Sequence, residues 1–147
     1  MVEIKGINLP HDLYYTDQHL WVKLEDGKAR IGMDDMGQKL AGRIVFIRFV
    51  GVGKEVKKGE YFGSLESGKW VGRLASPVGG TIAEVNNELK TNARLVNNHP
   101  YGYGWLMLVK PSSQEKLRED LGTLVHGASV KPWLEKEIEK YKSKLSI

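Results

Sequence analysis

Cysteine is absent from this chain. That removes disulfide scaffolds, thiolate nucleophiles, iron–sulfur ligation and cysteine-based zinc sites together. It also makes a cytoplasmic home the default expectation. Long apolar runs are missing as well. None approaches the ~20 residues that a membrane-spanning helix requires, so no transmembrane segment is expected. The opening MVEIKGINLPHDLYY carries acids early and has no continuous apolar stretch, unlike a signal or transit peptide. Histidines are few, at His11, His19, His99 and His126. None pairs with another at metal-ligand spacing, and there is no HExxH, so no metal is expected. A Ser-centred GxSxG nucleophile elbow is lacking too.

What is present is globular composition. The 147 residues are 41% hydrophobic and 27% charged, enough for one domain with a core of its own. Lys and Arg outnumber Asp and Glu by 22 to 18, for a net charge of +4. A basic balance raises nucleic acid as a partner. The cations are mostly interleaved with acids, however, as in LEKEIEKYKSK near the end. Such interleaving describes a solvated helix face with i,i+4 pairs, and no nucleic acid is expected. Lys54, Lys57 and Lys58 form the one visible knot.

The first ~110 residues carry strand and turn signals. Residues 19–24 alternate apolar with polar, residues 25–28 supply a turn, and residues 29–32 alternate again, which predicts a hairpin. Residues 33–40 read as a short helix with Asp34 and Asp35 at its start. The branched and aromatic run of residues 43–50 is the clearest strand. Glycines at 51, 53 and 59 break the next stretch into short strands around Val56 and 61–65. The segment 71–85 is broken likewise, with Pro77, Gly79 and Gly80 forming a turn before 81–85; a last buried strand is expected at 105–109. Punctuation at this interval predicts a small β barrel or sandwich, not a βαβ sheet. After Pro111 the pattern turns helical. Ser112 and Glu115 have capping-box spacing, with Leu117, Leu121 and Leu124 on one face. A final helix that Pro132 could open carries Leu134, Ile138, Tyr141 and Leu145. Residues 1–111 are therefore expected to form the β domain, with residues 112–147 as helices packed on it.

One motif requires a test. Gly63 to Lys69 satisfies seven positions of the phosphate-cradling GxxxxGK[ST] loop, but Trp70 stands where a hydroxyl is required. The following VGRLASP cannot open a helix, and Glu66 would repel phosphate. Nucleotide binding is rejected. The same residues, Glu66-Ser67-Gly68-Lys69-Trp70, fit a hairpin turn between two strands, with Lys69 at its tip. A lysine at a turn is ordinarily a solvated charge. Here glycine-broken strand pairs flank it on both sides, and this arrangement resembles the lipoyl and biotinyl attachment domains.

The wider pattern resembles the H protein family of the glycine cleavage system. Residues 15–22, YTDQHLWV, are similar to that family's "YT..HEWV". Residues 32–46 resemble its "GIT.YAQ..LG.IVFV" block. Glu66-Ser67-Gly68-Lys69 resembles its "ESVK" turn, residues 76–80 its "SPVSG", and residues 98–106 its "EDPYG.GWL". The blocks run in family order from about Tyr14 to Pro111. The resemblance implies a mainly β fold with short helices, a lipoyl-type barrel-sandwich hybrid of two small antiparallel sheets with a C-terminal helical appendage. It implies a carrier and not an enzyme, with lipoic acid joined by amide linkage to Lys69 in a turn formed by Glu66, Ser67, Gly68 and Trp70. The arm would take an aminomethyl group from glycine decarboxylase to aminomethyltransferase and be reoxidised by dihydrolipoyl dehydrogenase. A lipoate ligase or lipoyl transferase would attach it, and a monomer is expected.

Several positions depart from that pattern. Trp70 stands where a small residue is usual, and Gly68 where Val is typical. His99 and Tyr103 replace acids, and the chain is net positive where glycine-cleavage members are generally acidic. Surface charge governs partner choice more than fold. The ESGKW-VG variant resembles H-like lipoate-binding proteins associated with a heterodisulfide-reductase-like complex in sulfur oxidation, where the dithiol carries a sulfur intermediate. Both carrier readings stay open on sequence alone, as does an unlipoylated interaction protein that keeps only the fold.

Overall fold

The hairpin expected around residues 25–28 joins β4 (Leu20–Glu25) to β5 (Lys28–Met33). Its two central residues, Asp26 and Gly27, have φ of 50° and 77°. Positive φ at both is what a two-residue turn needs to match the twist of the strands, and Asp-Gly supplies it at low cost. β5 continues the pairing to β11 (Met107–Lys110), which pairs with β10 (Gly80–Val85), and that with β7 (Glu55–Val56). With β3 (Tyr14–Tyr15) on β4, this makes a six-stranded antiparallel sheet. A three-stranded sheet of β6 (Ile44–Phe49), β8 (Tyr61–Ser67) and β9 (Val71–Ala75) faces it. The computed structural model describes residues 1–146. Among these, no helix is long and apolar enough to cross a membrane.

The main core fills the space between these two sheets. Val22, Ile31, Ile44, Phe62, Leu65, Leu74, Ile82 and Val109 are buried there, one face of each strand contributing. The architecture is mainly β with short helices, as the turn spacing predicts, although one sheet is larger than expected. A third sheet, β1 (Val2–Ile4) with β2 (Ile7–Leu9), went unread in the sequence because its strands have only three residues each. The last strand begins at Met107, two residues later than its apolar pattern indicates. Also unread was α2 (Leu95–Asn98), a single turn with no capping side chain.

Helix α1 (Asp35–Ala41) starts where Asp34 caps it, the carboxylate accepting from the Gly37 N–H at 2.8 Å. Helix α3 (Gln114–Leu121) requires a correction: its cap is Ser113, not Ser112. Ser113 Oγ accepts from the N–H of Lys116 at 3.0 Å, so Glu115 lies one residue out of register for a capping box. Leu117 and Leu121 of α3 join the main core. Helix α4 (Val130–Lys140) begins two residues before Pro132, which sits in its first turn, where its missing N–H costs nothing. Val130, Leu134 and Ile138 do not reach the main core. They close a second apolar cluster with Val2, Ile7, Leu9, Tyr15, Trp21 and Met36. The two ends of the chain thus meet over α1.

Candidate functional site

The β8–β9 hairpin carries the residues singled out from the sequence. Ser67 N–H donates to the Trp70 carbonyl at 2.7 Å, which closes the turn. The Ser67 hydroxyl bridges it, 3.3 Å from both the Trp70 carbonyl and the Lys69 N–H. Ser67 is buried, so this hydroxyl is an internal strut, while Glu66, Gly68 and Lys69 face solvent. Gly68 N–H reaches the carbonyl of Arg43, the residue just before β6, at 3.3 Å, tying the tip to the entry of the next strand. The space around Gly68 is open, so a side chain there, such as valine, meets no obstacle.

Lys69 lies over a residue that sequence reasoning did not connect with it. Gly42 ends α1 with φ 77° and ψ −155°, a backbone region open in practice only to glycine. A Cβ at this position would stand 2.6 Å from Lys69 Cε, so the bare Cα makes room for the lysine stem. Asn97 of α2 fixes this floor: its Nδ2 donates to the Gly42 carbonyl at 2.8 Å and its Oδ1 accepts from Ile44 N–H at 3.0 Å. Gln18 holds the other side of the hairpin, with Nε2 on the Arg73 carbonyl at 2.6 Å and Oε1 on Ala75 N–H at 2.9 Å. Lys69 makes no ion pair among the described residues.

Beside the lysine opens a cleft of about 360 Å³ lined by Asp17, Gln18, His19, Met33, Gly37, Leu40, Ala41, Trp70, Tyr141 and Lys144. Trp70 is 40% exposed. Its indole lies against Gly72, whose missing side chain leaves the room. Tyr141 and Lys144, from the turn that follows α4, close the far wall.

His19 forms the cleft's inner wall and is 3% exposed. Its Nδ1 lies 2.9 Å from Asp34 Oδ2 and its Nε2 2.8 Å from Glu137 Oε1. A neutral imidazole carries one N–H and could serve only one of two carboxylates, so the pair of acids favours the imidazolium. Burial pulls the His19 pKa down, but the charges and hydrogen bonds of Asp34 and Glu137 outweigh it and hold the pKa above the usual histidine range. Burial pushes the Asp34 carboxyl up, against the opposing pull of His19 and of the Gly37 N–H. Trp133 stacks on the imidazole with centroids 5.0 Å apart.

Most acids near the cleft are already engaged. Asp34 is fully buried and committed to His19 and the α1 cap. Asp35 is engaged by the Asn8 N–H, Gln38 and Lys39. Only Asp17, at the rim, remains exposed. His99 and Tyr103, where acids are replaced, pack edge to face with each other and are not among the cleft's lining residues.

The family described as "Glycine cleavage H-protein" matches residues 13–136 of the chain. "Glycine cleavage system H protein 3" of Aquifex aeolicus is 40% identical over 141 residues, spanning 95% of this chain and 88% of its own length. The "Glycine cleavage system H protein" of Halalkalibacterium halodurans is 46% identical over 112 residues, 76% of this chain and 88% of that protein. A crystal structure of a glycine cleavage system H protein from Mycobacterium marinum superposes with a TM-score of 0.74 at 31% identity, covering 87% of this chain and 99% of that one. With a lysine-bearing hairpin at the tip of one of two facing antiparallel sheets and matches of this extent, the chain belongs to the glycine cleavage H-protein family.

Proposed function

We propose that the protein is a lipoyl carrier, with the cofactor in amide linkage to Lys69, and that it works as a component of glycine cleavage and not as an enzyme. The observation that carries this reading is the exposed, unpaired lysine on a rigidly strapped hairpin, in a chain of this family. The residues fit the group. Gly42 leaves the lysine stem free of steric hindrance, Ser67 and Asn97 fix the base of the arm, and the adjoining cleft has apolar walls in Met33, Leu40, Ala41 and Trp70. When attached, lipoic acid supplies a redox-active disulfide at the end of a long tether. Tethering replaces bimolecular capture with delivery at high effective concentration. The arm would serve glycine decarboxylase, aminomethyltransferase and dihydrolipoyl dehydrogenase in turn, and residues 112–147 would belong to the same carrier body.

Intact-mass measurement after co-expression with a lipoate ligase tests the assignment. One lipoyl adduct is expected, lost in Lys69→Ala and kept in Lys57→Ala. An adduct that survives in Lys69→Ala refutes it.

The chemistry of the cleft favours a second reading. An aminomethyl cargo is a cationic amine and requires an acid or acceptor to shield it. Here the buried acids are spent on His19, Asp17 stands alone at the rim, and Lys144 adds a cation. Such a cleft suits an uncharged or anionic sulfur intermediate, as in H-like lipoate-binding proteins that serve a heterodisulfide-reductase-like complex. Glycine-dependent CO₂ release by the holo-protein with its host's glycine decarboxylase supports the first reading. Absence of coupling, together with sulfur-dependent modification of the lipoyl thiols, supports the second.

A further inference from the structure

The outer face of the β6–β8–β9 sheet combines exposed apolar groups with unpaired arginines. Phe46, Glu66 and Val71 stand in one register row across its three strands, and Arg48, Ser64 and Arg73 in the neighbouring row of the same face. Half of the large hydrophobic side chains that are exposed among the described residues lie on this sheet or its hairpin turn, with Val71 70% and Tyr61 54% exposed. The Arg48 guanidinium sits 4.9 Å from the Phe46 ring centroid and that of Arg73 5.2 Å from Tyr61. Each cation therefore lies over an aromatic ring on an exposed residue. Neither of them, nor Arg43, forms an ion pair among the described residues.

We propose that this face docks the enzyme that acylates Lys69, and that this partner meets it with carboxylates flanking its active-site entrance. The inference rests on Lys69 as the attachment site. Exposed aromatics with arginine are the composition of binding hot spots, and guanidinium forks pair best with carboxylates. A second copy of this chain is a poor occupant, since it would set arginine against arginine. The acylating enzyme is selected by reach. Once the arm is attached, its length lets other enzymes dock at a distance. Before attachment, Nζ itself must enter the active site, so the docking residues have to adjoin Lys69. In that step the neutral Nζ amine attacks the carboxyl carbon of lipoyl adenylate made from lipoate and ATP; the amide C–N bond forms, the acyl–phosphate C–O bond breaks, the amine gives up a proton, and AMP leaves. The same partner is needed whichever cargo the arm later carries.

The experiment uses the full apo chain with its host's lipoate ligase, lipoate and ATP. Initial rates of adduct formation are read by intact mass against carrier concentration at low and high salt. For Arg48→Glu/Arg73→Glu, KM is expected to rise about tenfold or more, with kcat and melting temperature retained and the salt dependence of the wild type lost. Phe46→Ser is expected to raise KM with its salt dependence intact. Lys54→Glu/Lys57→Glu makes the same charge change off this sheet and is expected to leave KM near wild type. A KM for Arg48→Glu/Arg73→Glu that matches the wild type or the lysine control overturns the docking face. So does salt-sensitive binding of duplex DNA lost in that variant while KM stays fixed. An adduct persisting in Lys69→Ala overturns the attachment site itself, a separate result. A wild-type chain that accepts no lipoyl group overturns both.

Discussion

His19 Nε2 and Glu137 Oε1 lie 2.8 Å apart although 118 positions separate them in the chain. This contact ties α4 to the turn before β4, and it is buried, with side-chain exposures of 4% and 11%. Because Trp133 precedes Glu137 by one helical turn, the same helix face also stacks on the imidazole. The far wall of the cleft, Tyr141 and Lys144, comes directly after this anchored segment.

Removing Glu137 leaves the buried His19 paired with Asp34 alone and its Nε2 N–H without an acceptor. Glu137→Ala is therefore expected to cost about 1–3 kcal/mol in urea unfolding. Glu137→Gln, which keeps an acceptor, is expected to cost less. Equal costs for both variants would mean that packing of α4, and not the charge, holds the contact.

The raised pKa of His19 gives a pH dependence of defined sign. The folded state holds the proton more tightly than the unfolded chain. This stabilisation is complete below the unfolded histidine value of about 6.5 and is lost as pH rises through the folded value. The melting temperature should fall between neutral and alkaline pH for the wild type. In His19→Gln that alkaline slope should flatten. A slope unchanged in His19→Gln assigns it to another group.

Gly42→Ala combines a strained backbone with a displaced lysine. Forcing an L-residue into this glycine-only region is expected to cost about 1–3 kcal/mol by denaturant unfolding. The new Cβ also pushes the Lys69 stem off its floor, and since that stem is flexible the lysine should still accept a lipoyl group. Stability equal to wild type would show that the α1 end relaxes to another conformation.

Trp70→Ala should behave as a surface change. The indole is 40% exposed over Gly72, so a loss under about 1 kcal/mol is expected, against about 3–5 for emptying a core aromatic site. Melting of the two proteins side by side checks this. The effect should appear in arm transfer instead, because Trp70 lines the cleft beside Lys69.

Local signals in the sequence were sufficient for the features that depend on neighbours in the chain. The alternation of residues 19–24, the Asp26-Gly27 turn and the branched run of residues 43–50 specify strands and a hairpin, because side-chain period and turn conformation are short-range properties. Asp34 as a helix start and Lys69 on a turn between two strands were legible for the same reason. The Ser112 cap was misread by one residue because Ser112 and Ser113 offer the same hydroxyl, and only the backbone path chooses between them. Asp34 and Asp35 were legible only as acids at the start of a helix. Tertiary structure alone decided that Asp34 and Glu137 are consumed by His19, that Gly42 makes room for Lys69, and that the chain's last turns wall the cleft. The His19–Asp34, Gly42–Lys69 and His19–Glu137 contacts join residues 15, 27 and 118 positions apart. No periodicity or propensity encodes such distances, because they exist only after both sheets have packed and the two termini have met over α1.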